Sequence, residues 1–476
     1  MSNIKQTSRL DRWFGLTANK TSIRTEMTAG LTSFVAVAYI LAVNPQILSA
    51  TGMPAGGVLM ATILASFVGT VLMALLANYP FVLAPGMGLN AYFTYTVVLT
   101  MGYSWQFALL AVFIEGLLFV LLSCIRVRER LFNAIPMTLK KAVGAGIGLF
   151  IAFIALQNSH IIVNNDATLV SMQMFSREAF STHGISALHA CVGVLLTAAL
   201  LHRRVPGAIL LGILGTWLLG IVAQLTGLYT VSPEAGCFSL IPNLNLKQTA
   251  DIFPQFASVC GALFNPQHWT LRGSPLTGAA LLTSINFIIV IFSFLFVDLF
   301  DTLGTLIGVS QRSGFLDKNG HLPNLKGALY ADAIATSAGA VFGTSTTTTF
   351  VESAAGVTAG GRTGLTALTA AALFLLSILF APIFLAIPAF ATAPALIIVG
   401  FYMMSSVADI NFSDLPNAIP AYLCILAMPF AYSIAEGISL GVISWTVLSL
   451  AAGRARSISP IMYLLTLLFL AKYIFL

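Results

Sequence analysis

PFVLAPGMGLNAYF, residues 80–93, and GTSTTTTFVESAAGVTAGGR, residues 343–362, decide the fold. Each falls where a membrane-spanning helix is expected, and neither is an ordinary one. Pro85, Gly86 and Gly88 interrupt the first in its middle. The second carries a threonine run and Glu352 at apparent membrane depth. Broken backbone at that depth is tolerated only where it is buried in protein or lines a cavity, because hydrocarbon offers no hydrogen-bond partners. The strings FVLAP and STTTTF predict a short extended piece leading into a half-helix in each segment. Each half-helix would aim its N-terminal amides at a substrate.

Composition sets the same frame. Of 476 residues, 58% are hydrophobic and 8% charged, against about 25% charged in an ordinary soluble domain. The chain is therefore an all-α polytopic membrane protein. Its first apolar stretch follows a basic tail and lacks a small-residue cleavage site, so it reads as a retained span and not a signal peptide. The net charge of +6 calls for no nucleic-acid partner, since loop lysines and arginines supply it. Cys124, Cys191 and Cys424 lie in apolar segments and read as packing residues. Cys237 and Cys260 share the one long polar loop, either as thiols or as a disulfide.

Spans of about 20 apolar residues fall at 25–48, 56–78, 82–101, 104–125, 138–157, 185–201 and 205–228. A second set falls at 278–310, 328–342, 344–359, 363–388, 392–408, 417–432 and 434–452. The interrupted segments take third place in each set. Such pairing points to the central site of a transporter, and seven spans per half make the repeat inverted. The tail holds Lys5, Arg9, Arg12, Lys20 and Arg24. Further basic clusters are Arg126, Arg128 and Arg130; Lys140 and Lys141; Arg203 and Arg204; Arg312, Lys318 and Lys326; Arg362; and Arg454 and Arg456. All flank the same side of the expected spans, which places them and the N-terminus in the cytoplasm. Residues 459–476 are apolar but interrupted by Lys472, and read as an extra span, a re-entrant piece or an interfacial helix.

The run FVDLFDTLGT, 296–305, puts Asp298 and Asp301 inside an otherwise apolar span. Carboxylates at bilayer depth are expensive and persist where they line a cavity, a proton path or a binding site. Spaced i and i+3 they share one helix face, and Thr302, Gly304 and Thr305 extend the polar patch. Glu352 supplies a third acid, and Asn90 an amide with both donors and acceptors. Together they suit a flat, polar, neutral ligand, and buried acids near one another lend themselves to protonation coupled to binding. The plain alternative is that these acids only bridge helices. Glu115 and Asp332 are weaker candidates, and the phenylalanines of 292–300 serve stacking on a ligand or plain packing. No P-loop is present, the histidines lack metal-ligand spacing, and His183 and His189 read as facing solvent or a loop. GAGIG, 144–148, reads as close helix packing.

PGMGLNAYF, FVDLFDTLGT and FVESAAGVTAGGRTGLTA, in this order and spacing, resemble the AzgA-like purine permeases. These are a branch of the nucleobase–cation symporters related to the nucleobase–ascorbate transporters. GLTSFVAVAYILAVNPQIL (30–48), ATAPALIIVGFYM (391–403) and YSIAEGISLG (432–441) extend the resemblance over nearly the whole chain. It implies a uracil-permease-like fold of fourteen segments in a 7+7 inverted repeat, with short strands in spans 3 and 10. The division it implies begins with a cytoplasmic tail (1–24). A core domain (25–126 and 278–388) works against a gate domain (127–230 and 389–452). An extracytoplasmic loop spans 231–277 and a hydrophobic tail 453–476.

The resemblance further implies proton-coupled import of adenine, hypoxanthine or guanine across a bacterial-type cytoplasmic membrane, with the proton as the only coupling partner and no cofactor or metal. A homodimer through the gate domain is implied as well. Gly88 and Asn90 match the family's third-span residues, Asp298 and Asp301 its eighth-span acids, and Glu352 its tenth-span acid. Thr302, Thr349 and Ser353 flank these and complete the expected substrate-binding set, and the three acids are the expected proton carriers. Competing expectations are a same-fold carrier of xanthine, uracil or another small neutral or anionic solute, and a membrane enzyme. An anion site would call for basic groups near these motifs, and an enzyme for a nucleophile–base or metal constellation. Neither is present in the sequence.

Overall fold

The computed structural model describes residues 9–124, 135–173, 180–232, 237–241, 246–276, 285–313, 315 and 322–475. Lys5, Arg126, Arg128, Arg130 and Lys318 of the expected basic clusters lie outside the described residues. In chain order the principal elements are α1 (Ile23–Val37), α2 (Ile40–Ser49), α3 (Ala55–Leu72), β1 (Leu83–Pro85), α4 (Met87–Ala91), α5 (Trp105–Cys124), α6 (Met137–Asn158), α7 (Ile185–His202) and α8 (Ala208–Leu225). There follow α9 (Leu246–Val259), α10 (Ile285–Ser313), α11 (Leu325–Phe342), β2 (Thr347–Thr349), α12 (Ser353–Thr358), α13 (Gly364–Leu376), α14 (Ala389–Met404), α15 (Leu415–Phe430), α16 (Ile434–Ala451) and α17 (Pro460–Phe475). Among the described residues, nine helices or joined helices are long and apolar enough to cross a membrane.

Local chemistry sets the boundaries. Ser22 caps α1 by accepting from Thr25 N, Thr363 caps α13 from Leu365 N, and Ser433 caps α16 from Glu436 N. Gly343 ends α11 at φ 101°, a left-handed turn that glycine adopts without a Cβ clash, and so releases the chain into β2. After α4 the chain continues through wide π-type turns, Tyr92–Thr100.

α1 to α5 pack chiefly among themselves and with α10 to α13, while α6, α7, α8, α14, α15 and α16 form a second cluster. Glycines allow the closest approaches. A Cβ on Gly116 of α5 would lie 2.3 Å from Ser337 Oγ of α11. Gly148 of α6 and Gly400 of α14 face each other's carbonyl, at 2.5 Å and 2.4 Å from a built Cβ, and Gly146 packs on Met428. GAGIG is thus a packing motif, as its sequence indicates.

Two peripheral elements gain definition. In the long loop α9 lies on α3, where Gln255 Oε1 accepts from Gly56 N at 2.9 Å. The tail forms α17, which packs on α16 and α10 through Thr446–Thr466 and Phe292–Phe469 contacts. All five cysteines are thiols, Cys237 lying 4.0 Å from His183 Nδ1. His183 and His189 are half-buried: His183 lies beside Cys237 of the long loop with its ring 4.0 Å from that of His160, and His189 lies 5.8 Å from Phe390.

Candidate functional site

The two interrupted segments meet. β1 and β2 run antiparallel, pairing Leu83 with Thr349, Ala84 with Thr348 and Pro85 with Thr347, and every strand residue is buried. A two-stranded sheet in an apolar surround leaves outer edges that need partners. Thr70 supplies them on the β1 side, its hydroxyl accepting from Leu83 N at 3.0 Å and lying 3.2 Å from Leu83 O. Thr336 Oγ1 donates to Thr347 O at 3.0 Å on the other. Ser353 Oγ accepts from Val82 N at 2.9 Å, so this expected ligand residue fastens the sheet.

The sequence motifs converge around this sheet. Asp301 lies against the turn into α4, its Oδ2 3.3 Å from a Cβ built on Gly86. The same Cβ would come 2.6 Å from Thr348 Cγ2, so only glycine fits where the strands approach α10. Thr302 is buried, with its hydroxyl 3.1 Å from Asp298 Oδ1, 2.8 Å from Asp332 Oδ1 and 2.7 Å from Thr348 Oγ1. Asp332, ranked low from sequence, is therefore part of the network. Its α11 position i+4 below Thr336 was no signal by itself, since its partner Thr302 is 30 residues away.

Glu352 stands at the start of α12, where Tyr39 Oη donates to its Oε1 at 2.7 Å. Tyr39 sits at the break between α1 and α2 and was missed as a candidate; a tyrosine in an apolar span gives no separate sign. Asn90 is buried within α4, and its Oδ1 accepts from Ser345. Asn90 Nδ2 and Thr349 Oγ1 are buried with no hydrogen-bond partner among the described residues. Such groups are costly unless something else satisfies them, which sets these two apart among the expected site residues. Gly88 faces the other helix cluster, a built Cβ lying 2.7 Å from Ile147 Cγ2 of α6.

Other polar groups tie the surrounding elements together. Thr346 Oγ1 donates to Glu115 Oε2 at 2.8 Å, and Asn44 Nδ2 donates to Thr62 and Thr344. Glu26, also missed, is a buried clasp. It accepts from Arg362 N, Thr363 N, Thr363 Oγ1 and Thr366 Oγ1, joining α1 to the start of α13. The phenylalanines of α10 pack on protein rings, Phe294 edge-on to Tyr92 at 4.8 Å and Phe292 against Phe296.

A multi-pass helical bundle with a buried two-stranded centre ringed by acids and amides is the architecture of a membrane transporter. The fold matches the transmembrane domain of a cyanobacterium bicarbonate transporter, BicA, with a TM-score of 0.58 at 15% identity, covering 88% of this chain and 97% of that one. The chain belongs to the Permease family, whose model matches residues 24–440. Its relatives include the guanine/hypoxanthine permease PbuO of Bacillus subtilis, 42% identical over 96% of this chain and 98% of the relative. The adenine permease AdeP of Escherichia coli is 39% identical over 98% of this chain and 96% of that protein. The family and these relatives are permeases, not enzymes, and the resemblance to the AzgA-like branch agrees with them.

Proposed function

We propose that this protein carries purine nucleobases (adenine, hypoxanthine or guanine) inward across the cytoplasmic membrane together with protons. The reading rests on one observation above the rest: the β1–β2 pair gathers Asp301, Thr302, Thr349 and Asn90 on the two interrupted segments and α10. An unpartnered amide donor and hydroxyl beside buried carboxyls fit the hydrogen-bonding edge of a neutral heterocycle. Relatives named as guanine/hypoxanthine and adenine permeases support the purine class.

Two carboxyls crowded around one hydroxyl support the coupling to protons. The Thr302 hydroxyl has one proton, yet it contacts Asp298, Asp332 and Thr348. That hydroxyl can donate to only one of the two carboxyls at a time, so a proton taken up by the other would add a hydrogen bond to the network. Asp298, Asp301 and Glu352 are the proposed carriers, with no other cofactor. In the 7+7 inverted repeat of fourteen segments that we favour, the cluster bearing β1 and β2 is the core and the α6–α8, α14–α16 cluster the gate. They rock against each other with the N-terminus in the cytoplasm, and two copies pair through the gate. Uptake of the three radiolabelled bases in a host lacking purine transport, with and without a protonophore, tests the reading. Uptake of xanthine or uracil in their place would redirect it.

A further inference from the structure

A second polar space lies outside the central site. A cavity of about 320 Å3 opens between α2 and the π-type segment after α4 on one side and α6 and α14 on the other. That is within the range of small-molecule pockets, about 300–1,000 Å3. Its polar wall comprises Gln46, Tyr95, Gln157, Asn158, His160 and Thr392, with no lysine, arginine, aspartate or glutamate. Tyr95 follows Asn90 by five residues on one helical segment, so the cavity is displaced from the central amide by about 7 Å along that segment. The displacement runs toward the C-terminal end of α2, where Ala50 is exposed at the rim. That end is opposite the basic N-terminal tail, and with the tail inside, the cavity opens outward.

The wall joins the two helix clusters. Gln46 of α2 donates to Ile387 O, just before α14, and accepts from Thr392 Oγ1 of α14 at 2.6 Å, so its amide bridges the two clusters. Asn158 Nδ2 donates to the Tyr95 hydroxyl at 3.1 Å. A carboxamide has two N–H donors and a carbonyl oxygen with two lone pairs. Asn158 thus keeps its oxygen and one donor, and Gln157 adds a second amide on the same rim. The Tyr95 ring, held edge-on to Tyr432 at 5.6 Å, offers an apolar flank. Burial, with His183 adjacent, holds His160 below the usual imidazole range, so it is neutral at pH 7. Amides, an aromatic face and no net charge select a flat, neutral heterocycle over an anion or a cation.

We propose that this cavity is an entry subsite, at which a purine docks before the Gln46–Thr392 bridge opens and admits it to the central site. The inference rests on the purine reading above. Its test uses the full chain in membranes with Ala50→Cys at the rim, labelled from outside by a membrane-impermeant thiol reagent and read at that position by mass spectrometry. Hypoxanthine at about twice its dissociation constant should slow labelling about threefold. Protection should persist when Asn90→Ala and Glu352→Gln disable the central site, and vanish when Gln157→Leu and Asn158→Leu are added. Protection lost with the central-site variants alone would overturn the proposal, as would absence of labelling or of any protection. Purine uptake by the Ala50→Cys chain itself, measured in parallel, separates failure of the entry subsite from failure of the purine reading.

Discussion

The two interrupted segments share a shape and differ in chemistry. Residues 80–93 give a strand and a half-helix whose contacts are close backbone approaches, at Gly86 to Thr348 and at Gly88 to Ile147. Residues 343–362 give the matching strand, but with hydroxyls and Glu352, whose carboxylate is held by Tyr39. One segment supplies room and the other polar groups, with Asn90 as the first segment's single amide. The two segments thus share a backbone form and differ in the side chains they bring to the sheet. The glycines keep the hydroxyl-rich strand close, and α10 adds Asp298 and Asp301 to the single acid, Glu352, of the second segment.

Removing the acids tests the polar half and should have the largest effect. Glu352→Gln and Asp301→Asn each abolish uptake, to about 1% of wild type or below, because a buried hydrogen bond to a charged group is worth up to about 3 kcal/mol. Membrane insertion stays intact, and wild-type rates in both variants would reduce these acids to structural roles. Gly86→Ala tests the half that supplies room. Its new Cβ meets Thr348 Cγ2 at 2.6 Å, and overpacking costs about 1–3 kcal/mol. Thr348→Ser, which removes that methyl and keeps the hydroxyl for Thr302, should restore both thermal stability in detergent and uptake. A variant that Thr348→Ser does not rescue would show that the close approach is not what glycine provides.

Gly88→Ala sharpens the comparison across the boundary between clusters. Ile147 is a side chain that can yield, so the cost should be smaller, about 1 kcal/mol. It should fall on transport rate more than on thermal stability, because α4 and α6 belong to clusters proposed to move apart. Equal loss of both would argue that they move as one. Asp298→Asn should have the mildest effect, leaving purine binding measurable while flattening the pH dependence of uptake. An unchanged pH profile would count against a proton role for Asp298.

Much of this site can be read in the sequence, and the reasons differ by residue. Proline and glycine at 85, 86 and 88 and the threonine run mark where helices cannot continue, and β1 and β2 form inside FVLAP and STTTTF. Acids at bilayer depth announce themselves by cost. Tyr39 and the Glu26 clasp stayed hidden, and Asp332 ranked low, because their meaning lies in partners up to 340 residues away. A single chain carries no register between distant spans. Ser353 shows the converse: a serine beside the key acid reads as a ligand, and its hydroxyl also accepts from the buried N–H of Val82 just before β1. The tail 459–476 is legible as apolar, but only tertiary contacts with α16 and α10 make it a packed helix.

The most direct test of the account is uptake of radiolabelled adenine, hypoxanthine and guanine by a host lacking purine transport, expressing the native chain, Asp301→Asn or Glu352→Gln at matched membrane levels. The account predicts accumulation of at least one base by the native chain, collapse of that accumulation with a protonophore, and none by either variant. No uptake of any base by the inserted native chain, or native rates in both variants, would contradict it.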